Sequence, residues 1–240
     1  MKNVSLKNTI YITDKLLERM KQMSDETRPD RFLALYDLTR KMRACMDALI
    51  PISKYDSLCV PVNLLYRCIA SDLMTSLLFA MIDDEAFKKV THIMDMDYAR
   101  SFIKALNADL TVKKSLCPDN KDAYDNVSLA YQNRHYDDFS DCLKFNNGEV
   151  WELKKKESIK INGVDFNGTV DKMYDVLLSF DEVRDIACIY EYYKIFSQSE
   201  HFSLKNRVFI YKQDFHERYY NTTRGLIYLG EEYIYKKYTT

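Results

Sequence analysis

The chain has 240 residues, of which 47% are hydrophobic and 30% are charged, and its formal net charge at pH 7 is −1. This length and composition indicate a globular protein with a sizeable core, and the near-neutral charge excludes a global basic field for sequence-independent nucleic-acid binding. Five glycines and four prolines leave little material for the turns of an all-β fold, so long helices are favoured.

Two amphipathic helices are predicted at the start of the chain. Apolar side chains recur at helical spacing over residues 5–23, and the pattern breaks at the polar segment 24–30. Asp30 is expected to cap a second helix, because a short polar side chain can accept hydrogen bonds from the first turn. The apolar stripe of this helix steps by three and four residues and consists of Phe32, Leu35, Leu38, Met42, Met46 and Leu49.

Residues 57–83 predict a buried central helix around which the other helices pack. At about 100° per residue, the apolar side chains of this stretch point in nearly every direction, which is typical of a helix without a solvent-facing side. Arg67, Ser71 and Thr75 fall on one arc, whereas Asp72 lies about 140° from Arg67. Each ion therefore needs a partner on a neighbouring helix or in a cavity, because an isolated buried charge is too costly.

Two interpretations of these ions stay open. In the first, Arg67 and Asp72 are structural, and each pairs across a helix–helix contact. In the second, Arg67 lines a polar pocket for an anion. The buried polar candidates of the whole chain are Arg67, Ser71, Asp72 and Ser197.

The helical pattern continues after the central helix in two further predicted helices. The first begins at Glu85, and the second restarts after Asp95 or Asp97. His92 lies beside the first apolar stripe and is interpreted as an edge residue, because no second His or Cys follows at the spacing of a metal-binding pair.

A polar, irregular insertion is predicted at about 109–168. Short helices are predicted within it near 120–133 and from 136 to 144. Residues 159–166 predict a small β-hairpin, because two alternating segments flank Asn162-Gly163, a dipeptide favoured in two-residue turns.

Helix returns in three segments towards the end of the chain. Residues 170–178 and 183–196 carry helical stripes, and the second of these is expected to contact the central helix. Ten of the nineteen tyrosines lie from Tyr190 onward, which indicates helix packing or, alternatively, a surface for base stacking. The stripe of the last helix consists of Phe215, Tyr219, Thr223, Ile227, Ile234 and Tyr238.

These patterns predict an all-α fold, mainly a helical bundle, with one small β-hairpin near 159–166. We expect a single domain over residues 1–240, interrupted by the polar insertion at about 109–168.

No metal site or cofactor is predicted. The six cysteines include no C-x-x-C pair, and no P-loop, G-x-G-x-x-G, H-E-x-x-H, G-x-S-x-G or EF-hand loop occurs. The chain begins without the apolar run of a secretory signal, and its longest apolar run, Leu73–Ile82, is roughly half of a membrane span. We therefore expect a soluble, cytoplasmic protein with free thiols and no membrane partner.

Two short segments carry a family resemblance. One is Leu64–Arg67, with the sequence LLYR, in the predicted central helix; the other is Tyr193–His201, in which Tyr, Ser and His follow at intervals of four residues. Together they resemble a bacterial helical family of unknown function that is related to the HEPN bundles, which bind nucleotides and often act as ribonucleases. The resemblance covers residues 30–105 and 168–238.

This resemblance implies an α-helical bundle in which Arg67, Ser197 and His201 are the matching positions. Nuclease-type HEPN proteins carry Arg and His four to six residues apart on one helix, whereas here Arg184 precedes His201 by 17 residues. Arg67 and His201 reproduce the pair only if two helices bring them together. In such a pair the histidine moves a proton and the arginine stabilises charge on a phosphate.

Three functions remain as alternatives. The favoured one is a soluble helical binding or regulatory module whose partner the sequence does not identify. The second is a HEPN-like RNA-processing enzyme, a metal-independent ribonuclease with Arg67 and His201 as catalytic residues, although the net charge does not favour nucleic acid as a partner. The third is a scaffold that forms a homodimer through its tyrosine-rich last helix.

Overall fold

The computed structural model describes residues 4–27, 30–52, 59–116, 143–146, 150–153, 157–198 and 213–239. It is mainly α-helical with small antiparallel hairpins, which confirms the predicted fold class. The helices are α1 (Leu6–Thr27), α2 (Asp30–Ile52), α3 (Cys59–Met81), α4 (Asp84–Leu116), α5 (Val170–Leu177), α6 (Arg184–Ala187), α7 (Ile189–Ser197) and α8 (Gln213–Lys237). The strands are β1 (Leu143–Asn146), β2 (Val150–Leu153), β3 (Ile159–Ile161) and β4 (Val164–Phe166).

The chain divides into two compact units. The first comprises residues 1–87, 161–164 and 170–240, and the second comprises residues 88–160 and 165–169. Most of the predicted polar insertion therefore falls in the second unit.

Helix α3 is the centre of the first unit. It packs against α2, α5, α7 and α8, and its middle is inaccessible to solvent. This confirms the buried central helix and the expected contact with the late helical segment. Burial of each such Leu or Ile side chain contributes roughly 1.5–3 kcal/mol to folding. The fully buried residues of this stretch include Ile69, Ala70, Leu73, Met74, Leu77 and Leu78.

The same helix is long and apolar enough to cross a membrane. Among the described residues, the segment that passes this test is Val60–Met81. The most apolar stretch of this segment is 67% buried inside the protein. Its hydrophobicity is thus used in packing against the neighbouring helices of its own unit.

Helices α2 and α8, which both pack against α3, are bridged by helix α1. Helix α1 contacts both α2 and α8. The buried stripe of α2 matches the prediction except at one position. Thr39 is buried there, whereas Leu38, which was predicted to be buried, is only half-buried. The Thr39 hydroxyl donates a hydrogen bond to the carbonyl of Leu35 (2.7 Å), so the polar atom has a partner in the core.

Helix α4 is continuous, so the predicted division into two helices is wrong. Its buried side chains step by three residues through the supposed break, whereas Asp95 is exposed and Asp97 is half-buried. The two aspartates therefore lie away from the buried stripe instead of capping a new helix. The buried residues of α4 include Phe87, Val90, Ile93, Met96 and Ala99.

Strands β3 and β4 form the predicted hairpin. Asn162 and Gly163 both have positive φ values, 48° and 81°, as a type I′ turn requires. Glycine meets this requirement without strain, and asparagine tolerates it better than most residues.

Strands β1 and β2 form a second hairpin that the sequence reading missed. They pair antiparallel with Leu143 opposite Leu153 and Phe145 opposite Trp151. The helix predicted from 136 to 144 is wrong at its described end, where the chain is already a strand. Residues 136–142 lie outside the described part of the chain, as does the helix predicted near 120–133.

The late helical segment contains a break. Helix α6 ends at Ala187 and α7 begins at Ile189, although Cys188 between them keeps a helical backbone (φ −59°, ψ −10°). Helix α7 places Ile189 and Phe196 in the core, and its last residue is Ser197.

Candidate functional site

Arg67 lies on α3 and points towards α7. Its Nε donates a hydrogen bond to the Ser197 hydroxyl (3.0 Å) across 130 residues of sequence. Its guanidinium also lies over the ring of Tyr193, 5.2 Å from the ring centroid. The two segments that carry the HEPN-like resemblance therefore meet in the folded chain at Arg67 and Ser197.

Ser197 is oriented by a second hydrogen bond. Its hydroxyl donates to the carbonyl of Tyr193 (2.7 Å), one turn earlier on α7. Because a hydroxyl has a single proton, this bond leaves the oxygen to accept from Arg67. One turn of α7 thus supplies both the acceptor for the Arg67 Nε and the ring beneath its guanidinium.

An aromatic cluster joins the helices at this end of the first unit. Tyr66, next to Arg67, stacks on Tyr220 of α8 (centroids 5.0 Å apart) and on Phe196 of α7 (5.8 Å). Phe196 and Tyr220 also stack on each other at 5.9 Å. Such ring pairs contribute roughly 0.5–1.5 kcal/mol each beyond their area burial, so the backbones that carry Arg67 and Ser197 are held firmly.

The hydroxyls of the aromatic cluster have polar partners. The Tyr220 hydroxyl donates to the Asn63 side-chain oxygen (2.7 Å), and the Tyr66 hydroxyl accepts from Nη1 of Arg224 at 3.4 Å. Burial raises the pKa of the Tyr66 hydroxyl, and the neighbouring Arg224 charge partly opposes this effect. Arg224 also donates to the carbonyl of Val4 (3.2 Å), which ties α8 to the start of the described chain.

Asp72 lies on a different side of α3 and faces α2. Its Oδ1 accepts a hydrogen bond from Nζ of Lys41 at 2.8 Å, a pairing across a helix–helix contact as in the first of the two interpretations of the sequence. Burial raises the pKa of the Asp72 carboxyl, and the hydrogen bond and charge of Lys41 only partly oppose it. This ion pair is therefore separate from the Arg67 contact, as the angle of about 140° between the two positions requires.

Two site candidates from the sequence remain, Ser71 and His201. Ser71 is half-buried on α3, where its carbonyl accepts a hydrogen bond from the Thr75 hydroxyl (3.0 Å). His201 lies outside the described residues, so its contact with Arg67 stays a prediction. Within the described residues, no group of three or more His, Cys, Asp or Glu side chains could hold a metal ion.

One buried ionisable residue, Glu231, was not predicted from the sequence. Glu231 of α8 is 0% exposed, and its Oε2 lies 2.7 Å from the Thr13 hydroxyl of α1. The sequence signal was its position: Glu231 falls four residues after Ile227 and three before Ile234, in the middle of the apolar stripe of the last helix. A carboxyl at such a position is an exception that calls for a partner or a proton.

No known family model, curated protein or solved structure matches this chain.

Proposed function

We propose that this chain is a helical binding module that holds a small, phosphate-bearing anion at Arg67. The observation that carries the proposal is the position of the Arg67 guanidinium, which the Ser197 hydroxyl orients and the Tyr193 ring supports. The HEPN-like resemblance, in which Arg67 and Ser197 are matching positions, supports a nucleotide as the ligand.

The chemistry of the guanidinium suits this role. A guanidinium is planar and permanently charged, and it binds phosphate oxygens through parallel N–H donors. Its rotational freedom is already restricted by the Ser197 hydrogen bond, so less conformational entropy is lost when an anion binds. The half-buried position of Arg67 also strengthens its attraction for an anion relative to a fully exposed arginine.

Calorimetric titration with ATP and with inorganic phosphate tests the proposal. We expect Arg67→Ala to weaken ATP binding by about 10- to 100-fold, because hydrogen bonds to a charged group contribute roughly 1.5–3 kcal/mol. Ser197→Ala should cause a smaller loss, about 3- to 10-fold, since it removes only the group that orients Arg67.

Arg184→Ala is the matched control, because Arg184 is an exposed arginine of the same unit that pairs with Asp181 (2.6 Å). Its ATP affinity should equal that of the wild type, and thermal melting should show that all variants are folded. If neither ATP nor phosphate binds the wild type, or if Arg67→Ala binds as well as Arg184→Ala, the proposal is wrong.

A second candidate function is RNA cleavage without a metal ion. It is favoured by the Arg67–Ser197 contact, because His201 follows Ser197 by four residues, a distance of at most about 14 Å along an extended chain. In this reaction His201 would transfer a proton and Arg67 would stabilise the charge on the phosphate.

Incubation of single-stranded RNA with the protein in EDTA distinguishes the two functions. For a binding module we expect no specific cleavage by the wild type. RNA turnover that falls by ~10²–10⁴-fold in a folded His201→Ala variant would favour the enzyme.

A further inference from the structure

Helices α2 and α3 run antiparallel in a register that two contacts define. Near the start of α2, Nη1 of Arg31 donates to the carbonyl of Ile82, just beyond the end of α3. Ten residues further along α2, Nζ of Lys41 contacts Asp72, ten residues earlier in the chain than Ile82. Each step forward on α2 therefore corresponds to an equal step back along α3.

The same register places two cysteines opposite each other. Cys45 follows Lys41 by four residues on α2, and Cys68 precedes Asp72 by four residues on α3. Residues four apart lie on the same face of a helix, so both thiols lie one turn beyond the Lys41–Asp72 contact, on the faces that meet. Both cysteines are free thiols and half-buried, within reach of a small solute at the edge of the contact.

The electrostatics of this site agree with the register. Burial raises the pKa of the Cys45 thiol, and the negative charges of Cys68 and Asp72 raise it further, against the effect of Lys41. The negative charges of Cys45 and Cys68 likewise both raise the pKa of Lys41. The two thiols, the ammonium and the carboxyl therefore form one interacting cluster at the α2–α3 contact.

The distance between helices suits a disulfide. The axes of packed helices lie about 8–10 Å apart, and each Cα lies about 2.3 Å from its axis. Cα atoms that face each other directly across the contact are thus about 3.4–5.4 Å apart, and the upper part of this range overlaps the range of about 4.4–6.8 Å in disulfides.

We propose that Cys45 and Cys68 form a dithiol site that a peroxide oxidises to an intramolecular disulfide, linking α2 to α3. Because burial and the neighbouring negative charges disfavour the Cys45 thiolate, Cys68 makes the first attack. Cys68 gives up its proton, its sulfur breaks the O–O bond of the peroxide to form a sulfenic acid, and the proton reaches the departing oxygen to give water or an alcohol. The second thiol then attacks the sulfenic sulfur: the S–S bond forms, the S–O bond breaks, and water leaves with the thiol proton. The peroxide is reduced by two electrons and the two thiols are oxidised by two. This site is independent of the anion-binding function proposed above.

Peptide mapping of the full chain tests this proposal. The folded protein is treated with hydrogen peroxide, remaining thiols are blocked with iodoacetamide, and the digest is analysed by mass spectrometry without reduction. We expect a peptide pair joined through Cys45 and Cys68, lighter by two hydrogens than the reduced pair, that disappears after treatment with a reductant.

Three variants complete the experiment. Cys45→Ser and Cys68→Ser should each abolish the linked pair, whereas Cys188→Ser, which removes another half-buried free thiol, should leave it unchanged. The same oxidation in denaturant should give a mixture of links, because the register exists only in the folded protein. The proposal is wrong if the folded wild type yields no Cys45–Cys68 link, or if Cys45 and Cys68 are oxidised only to separate sulfinic acids. Because the wild-type measurement decides the matter, a serine variant that fails to fold does not prevent the test.

Discussion

Glu231 is a buried carboxyl whose proton is coupled to folding. Burial raises its pKa to about 8; a hydrogen bond from Thr13 opposes the rise, and the charge of Asp14 adds to it. The Thr13 hydroxyl also lies 2.8 Å from the carbonyl of Thr9. Thr13 has a single proton, so when it donates to that carbonyl its oxygen is left to accept from a protonated Oε2 of Glu231. Oε1 of Glu231 is buried and has no hydrogen-bond partner among the described residues, which further disfavours a charged carboxylate. At neutral pH the protonated form therefore predominates in the folded state.

Replacement of Glu231 by Gln should remove a pH dependence from the stability. The folded-state pKa lies above the ordinary value of 4.5, so the stabilisation is complete below about pH 4.5 and is lost as pH rises to about 8. Relative to the wild type, the unfolding free energy of Glu231→Gln should increase by roughly 4 kcal/mol between about pH 5 and about pH 9. Urea denaturation at several pH values measures this difference.

Glu232→Gln provides the matched control, because Glu232 forms a surface ion pair with Lys236 (3.2 Å). Its stability should follow the wild-type pH profile closely, as expected for a surface pair. Parallel profiles for the wild type and Glu231→Gln would show that Glu231 does not retain a proton in the folded state.

The ion pair of Lys41 and Asp72 is asymmetric. The Asp72 side chain is 8% exposed, whereas that of Lys41 is 60% exposed. Lys41 has a raised pKa because the hydrogen bond and charge of Asp72 outweigh its modest burial, while Asp72 has a raised pKa because burial outweighs the help of Lys41. The ion pair therefore favours the charged form of the exposed Lys41 ammonium, so the pKa of Lys41 rises. It does not fully offset the burial of the Asp72 carboxylate, so the pKa of Asp72 rises as well.

This asymmetry predicts that removal of Lys41 costs more than removal of Asp72. Lys41→Ala leaves a buried carboxylate without its partner and should destabilise the protein by roughly 2–3 kcal/mol at pH 7. Asp72→Ala leaves an ammonium that water can solvate, and it also removes Oδ2, which has no hydrogen-bond partner among the described residues. Its cost should be only about 1 kcal/mol, against roughly 3–5 kcal/mol for a pair buried on both sides.

Urea denaturation of both variants provides the measurement. Lys172→Ala serves as the control, because Lys172 and Asp175 form an exposed pair at a similar distance, 2.8 Å, and its effect should stay below about 0.5 kcal/mol. A cost for Asp72→Ala above that for Lys41→Ala would contradict the asymmetry.

At the scale of elements, Gly230 lets α8 approach the central helix. A Cβ at this position would lie 2.9 Å from Cδ1 and 3.1 Å from Cδ2 of Leu73 on α3, and 3.3 Å from Cγ2 of Ile186 on α6. Leu73 is fully buried, so its side chain has little room to move away. Here glycine is required by the closeness of two helices and not by the backbone conformation.

Gly230→Ala should therefore destabilise the protein despite the higher helix propensity of alanine. The overpacking costs roughly 1–3 kcal/mol and the propensity gain returns about 1 kcal/mol, so we expect a net loss of about 1 kcal/mol. In a Leu73→Ala background the two closest contacts are removed and only the 3.3 Å approach to Cγ2 of Ile186 remains, so the same substitution should become stabilising. A double-mutant cycle measured by chemical denaturation tests this reversal. Equal effects in both backgrounds would show that the two residues are not in contact.

At the scale of the whole molecule, two properties bear on function. The formal net charge of −1 supplies no long-range attraction for polyanions, so affinity for a phosphate must come from a local group. Arg67 is such a group, and it lies on α3, which is packed against four other helices. A site on a helix supported in this way keeps its geometry better than one on a loop.

The sequence by itself determined most of the secondary structure of the described chain. Helical periodicity identified α1, α2 and the buried α3, and the Asn162-Gly163 dipeptide identified the hairpin of β3 and β4. These signals are reliable because they are local: side-chain spacing selects the exposed face of a helix, and the turn residues must have positive φ values.

Only the tertiary structure decided which residues meet. The aspartates of α4 resembled helix caps, but they lie on one continuous helix whose buried stripe passes between them. The contact of Arg67 with Ser197, the pairing of Asp72 with Lys41 and the burial of Glu231 against Thr13 each join residues 31 to 218 positions apart. Such contacts depend on how helices pack, and packing is set by the shapes of all the side chains in the core together. The spacing of residues within one helix therefore predicts that Arg67 and Asp72 need partners, but not which partners they find.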